Sequence, residues 1–190
     1  MSIAGAAGIA GAMAMGGTAS AAETSCDNPG SKLAFASFGD TSSYFLAPGG
    51  SFEGALTWGR SGSAAIVAGN EPFMLNAATD RQSVRLSAGA SVTSPRMCIT
   101  RDMPHLRFVA KANGGSPLEV SVRVYGGDGK LADAETSTVP ALTHLSWAPS
   151  GNVSLLPDAL NGATAGSAEV TFRTQGDWQV DDVFVDPYAR

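Results

Sequence analysis

Apolar and polar residues alternate in short runs along most of this chain, and Gly, Pro, Asn or Ser breaks each run after roughly ten residues. The alternation is cleanest in Leu118-Glu119-Val120-Ser121-Val122-Arg123-Val124-Tyr125. Side chains on a strand point alternately to opposite faces, so this segment presents Leu118, Val120, Val122 and Val124 to one side. Gly126-Gly127-Asp128-Gly129 then makes a turn, and the chain from Leu131 onward is expected to return as a hairpin partner. The same reasoning predicts strands at Ser51–Trp58, Ala64–Ala68, Ser83–Leu86, Leu106–Ala110, Ala168–Arg173 and Gln179–Val185. It leaves Ala134–Thr138 and Ala159–Ser167 as loops. No window of eleven residues carries a helical period. Eight or so antiparallel strands without helices must close as a barrel or stack as two sheets. The uneven loop lengths favour an all-β, two-sheet antiparallel β-sandwich (jelly roll) with little or no helix, one domain over residues 51–190.

The final run, Trp178 to Pro187, places two adjacent carboxylates inside an apolar strand. Strict alternation puts Trp178, Val180, Asp182, Phe184 and Asp186 on one face and Gln179, Asp181, Val183 and Val185 on the other. Both faces are apolar enough to be covered, so one aspartate is expected to point inward. A buried carboxylate requires hydrogen bonds, a cationic partner or a metal ion.

Composition then sets the compartment and narrows the partners. Residues 1–21 are almost entirely Ala, Gly, Met, Ile and Ser, and small residues around Ala19-Ser20-Ala21-Ala22 suit a signal peptidase. This segment reads as a secretory signal peptide lacking its positive n-region, which points to a secreted, extracellular protein. Residues 22–50 form an N-terminal arm. The net charge is -5 and the 12 Lys and Arg residues are spread singly. Without a basic stripe, neither nucleic acid nor an anionic membrane surface is an expected partner, and no membrane insertion of the mature chain is expected. In an exported chain, Cys26 and Cys98 read as one disulfide tying the arm to the middle of the domain.

Two stretches together resemble a known fold family. Ser51-Phe52-Glu53-Gly54-Ala55-Leu56-Thr57-Trp58 with Ala64–Val67 is similar to the opening strands of galactose-binding-like jelly rolls, including carbohydrate-binding modules of the 4/9/22 type. Ser83-Val84-Arg85-Leu86 resembles their next strand, and Trp178 through Val185 their closing one. The chain is also similar to secreted actinobacterial proteins that combine these anchors with the two Cys. Segments Val92–Pro104 and Cys26–Gly50 lie outside the binding-module pattern. The resemblance implies a structural calcium ion held by Glu53 and by Asp182 or Asp181, with backbone carbonyls completing a shell of six to eight oxygens. A carboxylate satisfied by backbone amides or by one of Arg60, Arg85, Arg107 or Arg173 is the alternative.

Sugar recognition calls for exposed aromatic platforms flanked by polar groups. Trp58 shares a face with Phe52 and Leu56, and Trp178 with Val180, so both are expected in the core. Trp147, Tyr125 and Tyr44 are the candidates for ligand contact. No catalytic signature is present. Gly39-Asp40-Thr41-Ser42 and Asp102-Met103-Pro104-His105 superficially resemble the nucleophile and base blocks of one esterase superfamily, but Thr41 replaces the nucleophilic Ser and no αβα pattern surrounds it. Gly39-Asp40 is expected as a turn and His105 at the start of a strand. His144 lies in an alternating stretch with no orienting partner indicated. The sequence thus points to a secreted, non-catalytic binding domain whose partner is a glycan. The alternative is a structural or adhesion module that binds a cell-surface protein.

Overall fold

The computed structural model describes Cys26 and residues 30–187, so the predicted leader lies outside the described residues. Among the described residues, thirteen strands follow in chain order. They are β1 (Phe45–Leu46), β2 (Gly59–Ser61), β3 (Ala64–Ala68), β4 (Gln82–Leu86), β5 (Ser91–Thr93), β6 (Met97–Thr100) and β7 (His105–Ala112). After these come β8 (Leu118–Tyr125), β9 (Leu131–Val139), β10 (Ala148–Pro149), β11 (Val153–Ser154), β12 (Ala165–Thr174) and β13 (Trp178–Val185). The helical pieces among the described residues are short 3-10 turns at Ala36–Phe38, Ala141–Thr143 and Pro157–Leu160.

Two antiparallel sheets result. The first has the order β10-β7-β13-β4-β3, with β1 added to β13 and β11 to β7. The second has the order β2-β5-β12-β8-β9, with β6 added to β12. Between them Trp58 stacks on Phe172 at 5.8 Å, and Phe108 meets the same ring edge-on at 4.8 Å. The buried indoles keep their N–H groups satisfied, Trp58 on the Pro48 carbonyl and Trp178 on that of Ser116.

Several expectations need correcting. Ser51–Trp58 is a series of turns, because Phe52 and Gly54 both take left-handed backbone conformations that no strand tolerates. Its apolar residues are nonetheless core: Phe52 and Trp58 are buried and their rings meet at 5.1 Å. Ala134–Thr138 is not a loop but the middle of β9, paired along β8 from Leu118↔Val139 to Tyr125↔Leu131. Ala165 to Ser167 likewise belongs to β12. The Val92–Pro104 segment supplies parts of β5 and β6 to the second sheet.

The largest correction is in β13. A β-bulge interrupts its pairing with β7 between Asp181 and Phe184, and Asp182 sits there at φ 48°. The extra residue reverses the alternation. Trp178 and Val180 face the core before the bulge, and Val183 and Val185 face it afterwards. Phe184 consequently joins Gln179 and Asp181 on the outer face, packed with Phe35 and Tyr44 in a second apolar cluster. The bulge is held by the Ala47 N–H on the Val183 carbonyl at 2.8 Å and the Val183 N–H on that of Gly50 at 3.0 Å. A Cβ at Gly50 would lie 2.8 Å from the Val183 carbonyl oxygen, so only glycine fits there.

The N-terminal arm covers part of the first sheet's outer face. Lys32 and Tyr44 form a β-bridge, and Phe35 packs edge-on against Phe184 and Tyr44 at 5.8 and 5.0 Å. Cys26 and Cys98 form the expected disulfide, spanning 72 residues. Closing a loop of that length stabilises by about 4 kcal/mol on the chain-entropy view. Reduction is therefore expected to lower the melting temperature by roughly 8–16 °C at 2–4 °C per kcal/mol, measured by thermal denaturation with and without dithiothreitol.

At the opposite border of the molecule, β9 is an edge strand. Its core-facing positions opposite Val124, Val122 and Val120 are Asp133, Glu135 and Ser137. The two acids are exposed, so this edge carries charge where an inner strand would carry Val or Ile.

Candidate functional site

The outer face of the first sheet divides into an open row, a buried acidic centre and a polar end, and the bulge in β13 separates their chemistry.

The open row crosses four strands in register. Ala65 on β3 pairs with Arg85 on β4, Arg85 with Gln179 on β13, and Gln179 with Lys111 on β7. Trp147, just before β10, closes the row, with the Lys111 ammonium 5.6 Å from its ring centroid. These positions face outward because their neighbours Ala64, Leu86, Trp178, Val180, Ala110 and Ala112 fill the core. Three strand spacings give the row a length of about 14 Å before Trp147 is added. Arg85 makes a two-pronged pair with Asp177, its Nε donating at 2.9 Å and its Nη2 to the second oxygen. Beside that pair a groove of about 360 Å³ is lined by Val67, Ala68, Arg85, Asn113, Asp177 and Gln179.

The acidic centre lies under the loop joining β3 to β4. Asp181 and Asp182 are fully buried, Glu71 nearly so, and Asp80 is buried beside them. Backbone amides answer most of the oxygens. Glu71 accepts from the Phe73 and Leu75 N–H groups, the latter at 2.7 Å. Asp181 accepts from Glu71 at 3.1 Å and Asp182 at 2.9 Å. Asp182 Oδ2 accepts from Asn76 at 2.9 Å, and Asp80 Oδ2 from the Asn76 side-chain amide at 2.8 Å. Two buried oxygens, Asp182 Oδ1 and Asn70 Oδ1, lack a hydrogen-bond partner. Burial, reinforced by Asp182, pushes Asp181 up to about 9. Burial, together with the charges of Glu71 and Asp80 and against the Asn76 amide and Lys32, raises Asp182 to about 8. The Lys32 ammonium reaches toward this centre, donating to the Asn76 carbonyl at 2.6 Å, while its own burial lowers its pKa.

For the calcium implied by the sequence, the fit is a partial one. Asp182 lies at the centre with a buried oxygen, Oδ1, that has no hydrogen-bond partner, an arrangement that suits a proton or a cation. Asp181 has both oxygens on backbone N–H groups. Glu53 lies further out, with Oε1 accepting from Arg81 and Gln82 at 2.6 and 2.7 Å. Among the described residues no three His, Cys, Asp or Glu side chains are arranged as a metal cluster, so a calcium shell would lean on Asp182, Asp80, Asn70 and backbone carbonyls. Sequence reasoning missed Glu71 and Asp80; the density of Asn and acid in Asn70-Glu71 and Asn76 to Asp80 is the signal that marks this loop.

The polar end brings together the two segments that resemble esterase blocks. Gly39, Asp40, Thr41 and Ser42 share a cavity of about 540 Å³ with Pro104, His105, Asn152 and Asp186. Asp40 accepts from Tyr44 Oη and Arg107 Nη1, each at 2.7 Å, and from the Ser42 N–H at 2.9 Å. Burial would raise its pKa, but these hydrogen bonds outweigh it and hold the carboxyl well below the usual range. Burial and Asp40 in turn push Tyr44 up to about 12. His105 starts β7 as expected, its Nε2 3.2 Å from Tyr44 Oη and 3.4 Å from Asp186 Oδ2. Because the Tyr44 proton is spent on Asp40, the His105 Nε2 acts as donor in this network. Ser42 serves Asp40, so the set reads as a clamp holding the arm onto β7.

Of the three aromatic candidates, Trp147 alone escapes full burial; it is half-buried and packs against the second apolar cluster. Tyr44 is fully buried. Tyr125 is buried too, its ring covered by the Arg96 guanidinium at 3.6 Å and its hydroxyl on Glu169 at 2.7 Å. His144 is buried with Nε2 lacking a partner, and burial lowers its pKa. An exposed edge-to-face pair that the sequence did not single out, Phe38 and Phe73 at 4.8 Å, sits where the arm meets the β3–β4 loop.

The two antiparallel sheets, packed face to face, define an all-β sandwich. No family model and no curated protein matches the chain. Solved structures do. A family 61 carbohydrate-binding module, TmCBM61, solved with β-1,4-galactotriose, is 17% identical with a TM-score of 0.47, covering 74% of this chain and 96% of that one. The CBM22-1 xylan-binding domain of Paenibacillus barcinonensis Xyn10C is 13% identical with a TM-score of 0.47, covering 74% and 93%. The enzymatically active domain of tailspike protein 4 from bacteriophage CBA120 is 20% identical with a TM-score of 0.50, but the likeness takes in 74% of this chain and 21% of that one. At these identities the likeness concerns the fold.

Proposed function

We propose that this chain is an exported, non-catalytic carbohydrate-binding domain whose ligand lies along the open row of the first sheet. The observation that carries the reading is the in-register line Arg85–Gln179–Lys111 ending at Trp147. An aromatic face gives an apolar seat for a sugar ring, and guanidinium, amide and ammonium donors at strand spacing suit hydroxyls along a chain of sugars. The disulfide supports an oxidising, extracellular location. The jelly-roll neighbours support the same class, since their printed descriptions include galactotriose and xylan binding. Calcium at Asp182 belongs to this proposal as a structural ion that fixes the β13 bulge beside the row.

The test is a binding panel of soluble and insoluble polysaccharides with calcium present, run on the wild-type protein and on Trp147→Ala. Saturable binding to one class is expected, weakened at least about tenfold in the variant, as for an aromatic anchor. A Trp147→Ala protein that binds equally well removes the row as the site. The rival reading, a protein-binding adhesion module, is favoured by the exposed Phe38–Phe73 pair. It predicts no glycan binding and loss of cell-surface capture in Phe73→Ala.

A further inference from the structure

We infer that the ligand of this row is an acidic glycan, one that carries a carboxylate on the sugar seated at Trp147. The inference rests on the carbohydrate-binding reading and deepens it. The chain as a whole is acidic, at -5, yet the row is locally basic. It holds two cations, Arg85 and Lys111, against one acid, Asp177. Arg85 is committed to Asp177 through both prongs of its guanidinium, so its charge is answered within the protein.

Lys111 is not so answered. Among the described residues the ion pairs use Arg85, Arg96, His105, Arg107 and Lys130, and Lys111 takes part in none of them. Its partners on the sheet are neutral: the Gln179 amide across β13 and the Trp147 ring 5.6 Å away. Asp181, two residues along β13 on the same face, is fully buried with both oxygens accepting from backbone N–H groups, of Glu71 and Asp182, so its carboxylate is turned to the backbone and not to Lys111. The ammonium of half-buried Lys111, held over the Trp147 ring, can donate to a hydroxyl, but it carries a charge that an anionic group answers more strongly than a neutral one. It matches a ring whose apolar face lies near Trp147 while its carboxylate meets Lys111, and charge complementarity of this kind sets specificity more than raw affinity. The Gln179 side chain, between the two cations, is placed to bind the neighbouring hydroxyls.

The experiment compares polygalacturonate with neutral galactan and xylan, and with a phosphate-bearing teichoic acid, using wild-type protein, Lys111→Gln and Lys111→Arg. Preferential binding of polygalacturonate is expected, weakening as salt rises from 50 to 500 mM because partly exposed charge pairs are screened. Lys111→Gln should lose about three- to tenfold of that affinity while its melting temperature stays unchanged, and Lys111→Arg should retain it. Equal or better binding of the neutral glycans overturns the acidic assignment and leaves the carbohydrate-binding reading intact. Preference for teichoic acid overturns the carboxylate in favour of phosphate. Absence of binding to every polymer overturns both readings together, and an unaffected Lys111→Gln with polygalacturonate bound places the anion elsewhere.

Discussion

In a chelator, the melting temperature of this protein is expected to fall as the pH rises from about 5 to about 9. Asp181 and Asp182 hold their protons far above the usual carboxylate range in the folded chain, to about 9 and about 8, whereas both ionise near 4 when unfolded. The folded state therefore binds more protons across that interval, and stability falls with pH. The contribution is complete below pH 4 and is lost as the pH passes through 8 to 9. A drop of roughly 5–10 °C corresponds to about 2–3 kcal/mol in a domain of this size. Asp182→Asn removes one of the two titrations and is expected to flatten the curve. Calcium reverses the effect in the wild type, since an ion at Asp182 replaces the proton and favours the carboxylate. It should raise the melting temperature at pH 8 by several degrees and leave Asp182→Asn unmoved. Melting curves at four pH values, with EDTA or with calcium, check all of this. A wild-type curve flat in pH removes the protonated pair, and no response to calcium removes the ion.

The second large effect concerns the arm. Arg107→Met is expected to destabilise the protein by about 2–3 kcal/mol. Its guanidinium donates to Asp40 Oδ2 at 2.7 Å and twice to the Ser150 carbonyl, at 2.9 and 3.1 Å, and lies 4.3 Å from the Phe35 ring centroid. Breaking a fully buried pair costs about 3–5 kcal/mol by stranding the remaining charge. The two side chains here are 12% and 21% exposed, which lets water reach the stranded Asp40 and reduces the cost. The double variant Arg107→Met/Asp40→Asn should recover a good part of the loss, because no charge is then left alone. Chemical denaturation of the single and double variants gives the coupling directly. If the double variant loses the sum of the singles, the pair contributes nothing and the arm is held by its disulfide and its packing around Phe35 and Tyr44.

How much of this was legible in the sequence depends on whether a feature is local. The alternation of β8, and the first half of β13, follow from side-chain period alone, and the pairing of Cys26 with Cys98 from their being the two cysteines. The bulge was not legible. Asp182 takes a left-handed conformation because the chain around Gly50 and Ala47 holds Val183 in place, and nothing in Val180 to Val185 signals that. A one-residue slip there moved Phe184 from the core to the arm side and took Val183 and Val185 inward. The residues 51–58 show the converse case: a pattern with strand-like apolar spacing whose burial was foreseen and whose backbone was not, because positive φ at Phe52 overrides the pattern. For the candidate row, the sequence offered Trp147 from its setting among turn residues, and the structure leaves it half-buried at the end of the row. Lys111, Gln179 and Arg85 were not, since each stands alone in its own strand and meets the others only through cross-strand register.

The acids on β9 bear on how this domain behaves when many copies are crowded together. A strand left unpaired at a sheet border invites a second molecule to add its own border strand, and stacking of that kind propagates into insoluble polymer. Two copies meeting through β9 would bring Asp133 and Glu135 of one into the company of the same residues of the other, with little water left to separate the charges. The repulsion and lost hydration oppose such joining at each step. Crowded copies of this domain are thus kept from joining through this edge.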